Sequence, residues 1–380
     1  MQNLEDLYEI RNRNGTFIDE YALGYSARVV RAMSFRTGQD TAFKILRRER
    51  INEVDVWPRF VTEVRILTAL NKNRVAVRMF DCGFVSDHVN EFPISGHIQS
   101  CDLDVDQFIS QLPGYREQGW RPYIALELIP LAHNLLKLIR GADGNGTHAL
   151  RLPTEEGLTL AIQFSDFLQE MHSKNMVYID HKPEHAYWDG KQLRVIDFNV
   201  SQIFKENISA PESASLVRKD MANFVKGVLY TSFTGLDFRY QSQGLAPSAR
   251  PSDPTNVDKT FGQVNHLDFG MQETLLPQLA ALINRAADSS SNMTATEFTD
   301  ELKKCAAAMG HGRPGYPVTK DATQSREETL KGLAALRDAQ NKLEQARDHF
   351  LTARELCPEI EENRRLYKAT SEFYNHRVLP

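Results

Sequence analysis

Tyr178-Ile179-Asp180-His181-Lys182-Pro183-Glu184-His185, a short polar turn, then Arg194-Val195-Ile196-Asp197-Phe198-Asn199: the reading of this chain starts there. Asp180 and Lys182 are separated by one residue, and Asp197 follows after the turn. The β-branched pair Val195-Ile196 leads straight into Asp197, so that acid sits at the end of a short strand. Two carboxylates on neighbouring strand ends and loops, with a lysine between them, suit the handling of a metal-bound triphosphate. One acid can orient a hydroxyl, the lysine can neutralise a transferred phosphoryl group, and the second acid can hold Mg²⁺.

Upstream, Thr41-Ala42-Phe43-Lys44 ends a strand-like run. Glu63 lies further on, in a segment where Phe60, Val64 and Leu67 recur at helical spacing. Taken singly, Lys44 reads as a surface lysine closing a strand and Glu63 as part of a solvated helix face. Taken in order with Asp180 and Asp197, they read as a set. A lysine on a strand and a glutamate on a helix can form an ion pair that fixes the lysine's direction.

This set resembles the eukaryotic-type protein kinases. Residues 178–185 are similar to the family's catalytic loop, Asp197-Phe198-Asn199 to its metal-binding loop, and Thr41–Lys44 to its strand lysine motif. The resemblance implies an α+β, bilobal protein-kinase-like fold with a small β-rich lobe and a large helical lobe. It implies ATP and Mg²⁺ as cofactors, Asp180 and Lys182 as catalytic residues, and Asp197 and His185 at the metal positions. Gly24, Val29, Ala42, Lys44, Glu63, Glu127 and Ile129 would contact the nucleotide. The carbonyl of Glu127 and the amide of Ile129 would meet the adenine, with Leu126 behind it. Asp220, in Asp220–Tyr230, would hold the backbone of the catalytic loop.

On this reading residues 1–18 are a polar lead with room for a helix, 19–126 the small lobe and 127–309 the large lobe. A polar and aromatic insertion at about 86–121 reads as a long loop. Residues 310–324, with Gly312, Pro314, Gly315 and Pro317, form a linker. Residues 325–380 form a helical extension, where Leu343, Ala346, Phe350, Ala353 and Leu356 follow helical spacing. The part around Ala346 and Phe350 is similar to one helix of a tetratricopeptide repeat; one repeat is not a solenoid, so these helices are expected to pack on the large lobe or on a protein partner. Helices are expected over Leu131–Arg140, Glu155–Met171, Gln272–Ala287 and Thr294–Ala308. The last has a capping pattern in Thr294 and Glu297.

The departures from the family matter as much. The phosphate-covering loop keeps only Gly24, with Ala22 and Ala27 beside it, which implies weak ATP affinity. His185 stands in place of an asparagine metal ligand. Imidazole serves Mg²⁺ poorly, so Mn²⁺ is the alternative ion. Asn199 replaces a glycine, and Tyr178-Ile179 replace His-Arg, removing the docking charge for a loop phosphate. Ala210-Pro211-Glu212 lies close before Asp220, and Asn292 stands where an arginine partner is expected. Asp268-Phe269-Gly270 repeats the metal-loop motif literally but outside the strand–turn–strand setting. Two functions follow: an active phosphotransferase acting on a hydroxyl acceptor such as protein Ser or Thr, or a pseudokinase serving as a nucleotide-binding or protein-interaction scaffold.

Composition bounds the rest. The chain has 380 residues and a net charge of −5, which suggests neither a nucleic-acid nor an anionic-membrane footprint. No apolar run reaches membrane-spanning length, and Met1–Asp6 lacks the features of a signal peptide. Cys82, Cys101, Cys305 and Cys357 are scattered and read as reduced thiols. A cytoplasmic location is the expectation.

Overall fold

A computed structural model describes residues 2–11, 26–86, 96–139, 151–204, 210–235, 276–288, 290–312, 318 and 320–375. The fold is α+β and divides into two compact units. The first comprises Met1–Leu131, Met171–Asp180 and Arg194–Ile208. The second comprises Ala132–Glu170, His181–Leu193 and Ser209–Pro380. Among the described residues no helix is long and apolar enough to cross a membrane.

The first unit is built on a seven-stranded antiparallel sheet. Its strands are β1 (Gln2–Asn3), β2 (Tyr8–Arg11), β3 (Ala27–Ser34), β4 (Asp40–Leu46), β5 (Met79–Ser86), β6 (His97–Ser100) and β7 (Arg121–Glu127), in the spatial order β1-β6-β5-β7-β4-β3-β2. Strand β3 mixes buried and half-buried positions, whereas β4 and β7 are buried almost throughout, as central strands are. The β3–β4 hairpin turns at Gly38, whose φ of 67° suits a residue without a Cβ. Phe43 and Tyr123 stack at 4.7 Å in the core, and Tyr8 meets Phe43 edge-on at 5.1 Å.

Residues 2–11, expected as a lead ahead of the sheet, instead belong to it. Strand β2 pairs with β3 in the register Tyr8↔Ser34 to Arg11↔Arg31, and β1 pairs with β6. Between them the short helix α1 (Leu4–Leu7) buries Leu4 and Leu7. Tyr8 and Tyr123 donate their hydroxyls to Asp81 at 2.8 and 2.6 Å, and Ser100 donates to the same carboxylate at 2.7 Å. Two apolar residues on a four-residue strand are too short an alternation to announce a strand; burial against β3 makes it one.

The expected loop at 86–121 is also corrected. It holds β6 and a helix, α3 (Val105–Glu117), which Asp104 caps by accepting from the Gln107 amide at 2.9 Å. Phe84, Phe108 and Tyr115 stack there, with ring centroids 5.0 and 4.6 Å from Phe84. Helix α2 (Val56–Ala69) buries Val56, Trp57, Phe60, Glu63, Val64, Ile66 and Leu67. That is a wide apolar stripe with one acid in it.

The second unit is helical. Helix α4 (Leu135–Ile139) follows a 3-10 turn at Leu131–His133, and α5 (Thr154–Ser173) carries the buried Leu160, Phe164, Phe167 and Leu168. Helix α6 (Ala210–Phe224) continues through a π-helical turn, Val225–Leu229, into α7 (Tyr230–Thr234), which ends on a left-handed Gly235. Ala210-Pro211-Glu212 opens α6. Helices α8 (Pro277–Ala287) and α9 (Ala295–Ala308) follow. Thr294 caps α9, its hydroxyl accepting from the Glu297 amide at 3.2 Å while Glu297 accepts from the Thr294 amide at 2.9 Å. Ser165 and Thr299 bond at 2.6 Å between α5 and α9.

Helix α10 (Lys320–Leu356) begins inside the expected linker and forms a hairpin with α11 (Glu361–Asn375). Arg326 anchors it, donating to Glu155 at 2.7 Å; the buried His311 bonds the same carboxylate. Gly24 and Asp268-Phe269-Gly270 lie outside the described residues.

Candidate functional site

Strand β4 delivers Lys44 into the interior, where the residue is only 7% exposed. A buried ammonium needs compensation, because removing a charge from water costs several kcal/mol. Two carboxylates supply it. Nζ lies 2.9 and 2.8 Å from the two carboxylate oxygens of Glu63 and 2.9 Å from Oδ1 of Asp197. Burial opposes the ammonium, but the charges of Asp197 and Glu63 outweigh it and hold Lys44 above its ordinary range. Burial pushes the Glu63 carboxyl up, and the Lys44 ammonium works against that. The Lys44 ammonium is therefore held in its charged form, with Asp197 as its partly exposed partner.

Asp197 sits on strained backbone, and so does the residue that precedes Asp180. Asp197 has φ 63°, and Ile179, just before Asp180, has φ 71°. For a β-branched residue that is a true outlier. The Asp180 amide donates to the Tyr178 carbonyl at 2.9 Å, closing a three-residue turn over Ile179. Each such conformation costs about 1–3 kcal/mol and persists only where its surroundings over-determine it.

Tyr178 and Ser201 do that. The Tyr178 hydroxyl donates to the carbonyl of Ile196 at 2.6 Å, one residue before Asp197. The Ser201 hydroxyl donates to the Tyr178 carbonyl at 2.9 Å, and the Ser201 amide to the Phe198 carbonyl at 3.2 Å. The rings of Tyr178 and Phe198, both fully buried, meet edge-on at 5.3 Å. Short strands Met176–Val177 and Gln202–Ile203 pair beside them. The sequence marks Tyr178 only as a departure from a motif and gives no sign of Ser201; an aromatic ring flanked by Val177 and Ile179 is the one signal that could have found it.

Around Lys44, Val29 faces it in the β3–β4 register, and Ala42 pairs with Leu126 across β4–β7. Glu127 ends β7. Its carboxylate lies 3.3 Å from Nε of Arg194 and 3.8 Å from Nε of Arg78, and its amide donates to the Arg78 carbonyl at 2.8 Å. Ile129 is half-buried.

In the second unit, Lys182 precedes the 3-10 turn Pro183–His185, whose His185 amide donates to the Lys182 carbonyl at 3.1 Å. His185 is buried, and Asn134 donates to the Glu184 carbonyl at 2.8 Å. Asp220 holds this loop through a side chain: one carboxylate oxygen lies 2.7 Å from Nε2 of His181. The His181 ring lies 5.6 Å from Phe164 and 6.0 Å from Phe224. Gly227 backs onto the His181 carbonyl, where a Cβ would approach to 2.0 Å, so no larger residue fits.

Among the described residues no three His, Cys, Asp or Glu side chains gather into a metal cage. Comparison with family models and with curated proteins gave no match for this chain.

Proposed function

We propose that this chain is an ATP-dependent phosphotransferase of the protein-kinase type. It transfers the γ-phosphate to a hydroxyl acceptor, with protein Ser or Thr as the acceptor class. The observation that carries the reading is the Lys44 ammonium lodged between Glu63 and Asp197. A lysine fixed in the charged state beside a partly exposed carboxylate offers a phosphate-binding cation and a hard oxygen ligand side by side.

The donor set fits Mg·ATP at these two residues: Lys44 toward the α- and β-phosphates and Asp197 as the Mg²⁺ ligand. Bound Mg·ATP supplies the transferable phosphoryl group and neutralises its charge. Asp180, on a backbone turn pinned by Tyr178, orients the acceptor hydroxyl and takes its proton. Lys182 balances charge on the moving group. Ala42, Val29 and Leu126 supply apolar surface for the base, and Glu127 and Ile129 its backbone partners. The C-terminal helices take a protein substrate or partner.

The test is phosphate transfer from γ-labelled ATP, with wild type compared with Asp180→Ala. Transfer should fall about a hundredfold or more in the variant, the range expected for a group that handles a proton in the transition state. Millimolar Mg·ATP should also raise the melting temperature through linkage, and Asp197→Ala should remove the metal-dependent part. Absence of both transfer and thermal shift in wild type overturns the proposal.

A second reading, a nucleotide-binding scaffold without turnover, is favoured by His185. It is buried and stands where the resemblance calls for a second metal ligand, and its nitrogen suits Mg²⁺ poorly. If the chain is active, Mn²⁺ should support more transfer than Mg²⁺, and His185→Asn should reverse that preference. A thermal shift without transfer under either ion selects the scaffold.

A further inference from the structure

Helix α3 belongs to a segment that the proposed chemistry does not use, yet it is built against α2, the helix that delivers Glu63. Phe108 is fully buried and stacks on Phe84 of β5, Tyr115 stacks on the same ring, and Trp120 lies 4.8 Å beyond Tyr115. This aromatic stack fixes α3 to the sheet. The last turn of α3 then sets the guanidinium of Arg116 5.5 Å from the centre of the Trp57 ring. Trp57 is in the first turn of α2, only 1% exposed, and its Nε1 donates to the Ile51 carbonyl at 2.8 Å.

Glu63 lies on a different face of the same helix. At 3.6 residues per turn, Glu63 lies roughly 240° around the helix from Trp57. A grip at Trp57 therefore leaves Glu63 to face Lys44. The chain leading into α2 adds the Ile51 carbonyl and the Asp55 carboxylate, 2.6 Å from Arg59, but Val54 and Asp55 are exposed. Both Lys44–Glu63 bonds sit at hydrogen-bond distance, so a tilt of α2 by about an ångström would break them.

We propose that α3 is an intrachain brace for α2, and that Trp57 and Arg116 are positioning residues acting through Glu63 on Lys44. The consequence for nucleotide binding rests on the proposed function above. It means that α2 is held engaged by the chain itself and needs no partner to be seated.

A double-mutant cycle tests this. The Kd for Mg·ATP is measured by calorimetry in wild type, Arg116→Ala, Glu63→Gln and the double variant, with melting temperatures alongside. Arg116→Ala should weaken binding about twofold to fivefold, the weight of one exposed cation–π contact, with little change in melting temperature. That effect should vanish in the Glu63→Gln background, and Arg116→Lys should restore binding. Equal effects of Arg116→Ala in both backgrounds overturn the proposal, as does unchanged binding. Hydrogen exchange separates this from failure of the functional reading. If wild type binds no Mg·ATP, the function falls, and the brace is judged on the amides of Phe60–Leu67. Lower protection there in Arg116→Ala, with β4 unchanged, supports the brace; equal protection overturns it.

Discussion

The Lys44 triad and the α10–α11 hairpin both rely on opposite charges, and they use them in opposite ways. In the first, an ammonium and two carboxyl groups are drawn together, with Glu63 fully buried and Lys44 almost so. In the second, pairs such as Lys331–Glu328 and Lys342–Asp338 lie at 2.7 Å on an open helix surface. None of the described residues of α10 or α11 is buried. The lesson is one of dielectric. A surface pair trades water contacts for a weak Coulomb gain, whereas a buried set fails badly when one member is removed.

The sharpest way to break this comparison is Lys44→Ala. It leaves Glu63 and Asp197 facing each other in the interior, and should cost about 3–5 kcal/mol in urea unfolding. A loss under about 1 kcal/mol would mean that the triad is no more coupled than a surface pair. Next comes Tyr178→Phe, which keeps the buried ring and removes only the bond to the Ile196 carbonyl. About 1–3 kcal/mol is expected, for a buried acceptor left unmatched. If stability is unchanged, the strain at Asp197 is held by something else.

Lys226 sharpens the comparison from a third environment. It is buried in the π-helical turn, and burial outweighs the attraction of Asp288, bringing it down to about 8. A base with a depressed folded pKa disfavours its proton in the native state. Between about pH 8 and the usual lysine range the unfolded chain binds more protons, so stability should rise with pH there. Lys226→Met should flatten that rise in a pH series of urea unfolding curves; an identical slope in both proteins would refute it. The smallest effect is expected for Lys342→Ala, no larger than the scatter of repeat unfolding curves, as for other exposed helix pairs. A loss several times larger would place that stretch of α10 in a buried setting.

How much was legible depends on how local each signal is. The capping pattern at Thr294 and Glu297 and the apolar face of α5 were readable because helix periodicity and caps are written within a few residues. Lys44, Glu63 and Asp197 were singled out by residue type and order, and the structure brings them within 3 Å of one another through Lys44. Residues 2–11 and 97–117 were misjudged, as lead and loop. Their strands and helix are stabilised by partners far away in sequence, β3 for one and the Phe84 stack for the other.

By itself, then, the sequence determined the chemistry on offer: a strand lysine, a helix glutamate, two loop acids, and the helices whose period is local. The tertiary structure alone decided which of these meet, and in what state. Tyr178 pins the two strained loops, α3 grips α2, and the N-terminal residues complete the sheet. Each of these depends on burial and hydrogen bonding between distant segments, which no short stretch of residues can encode.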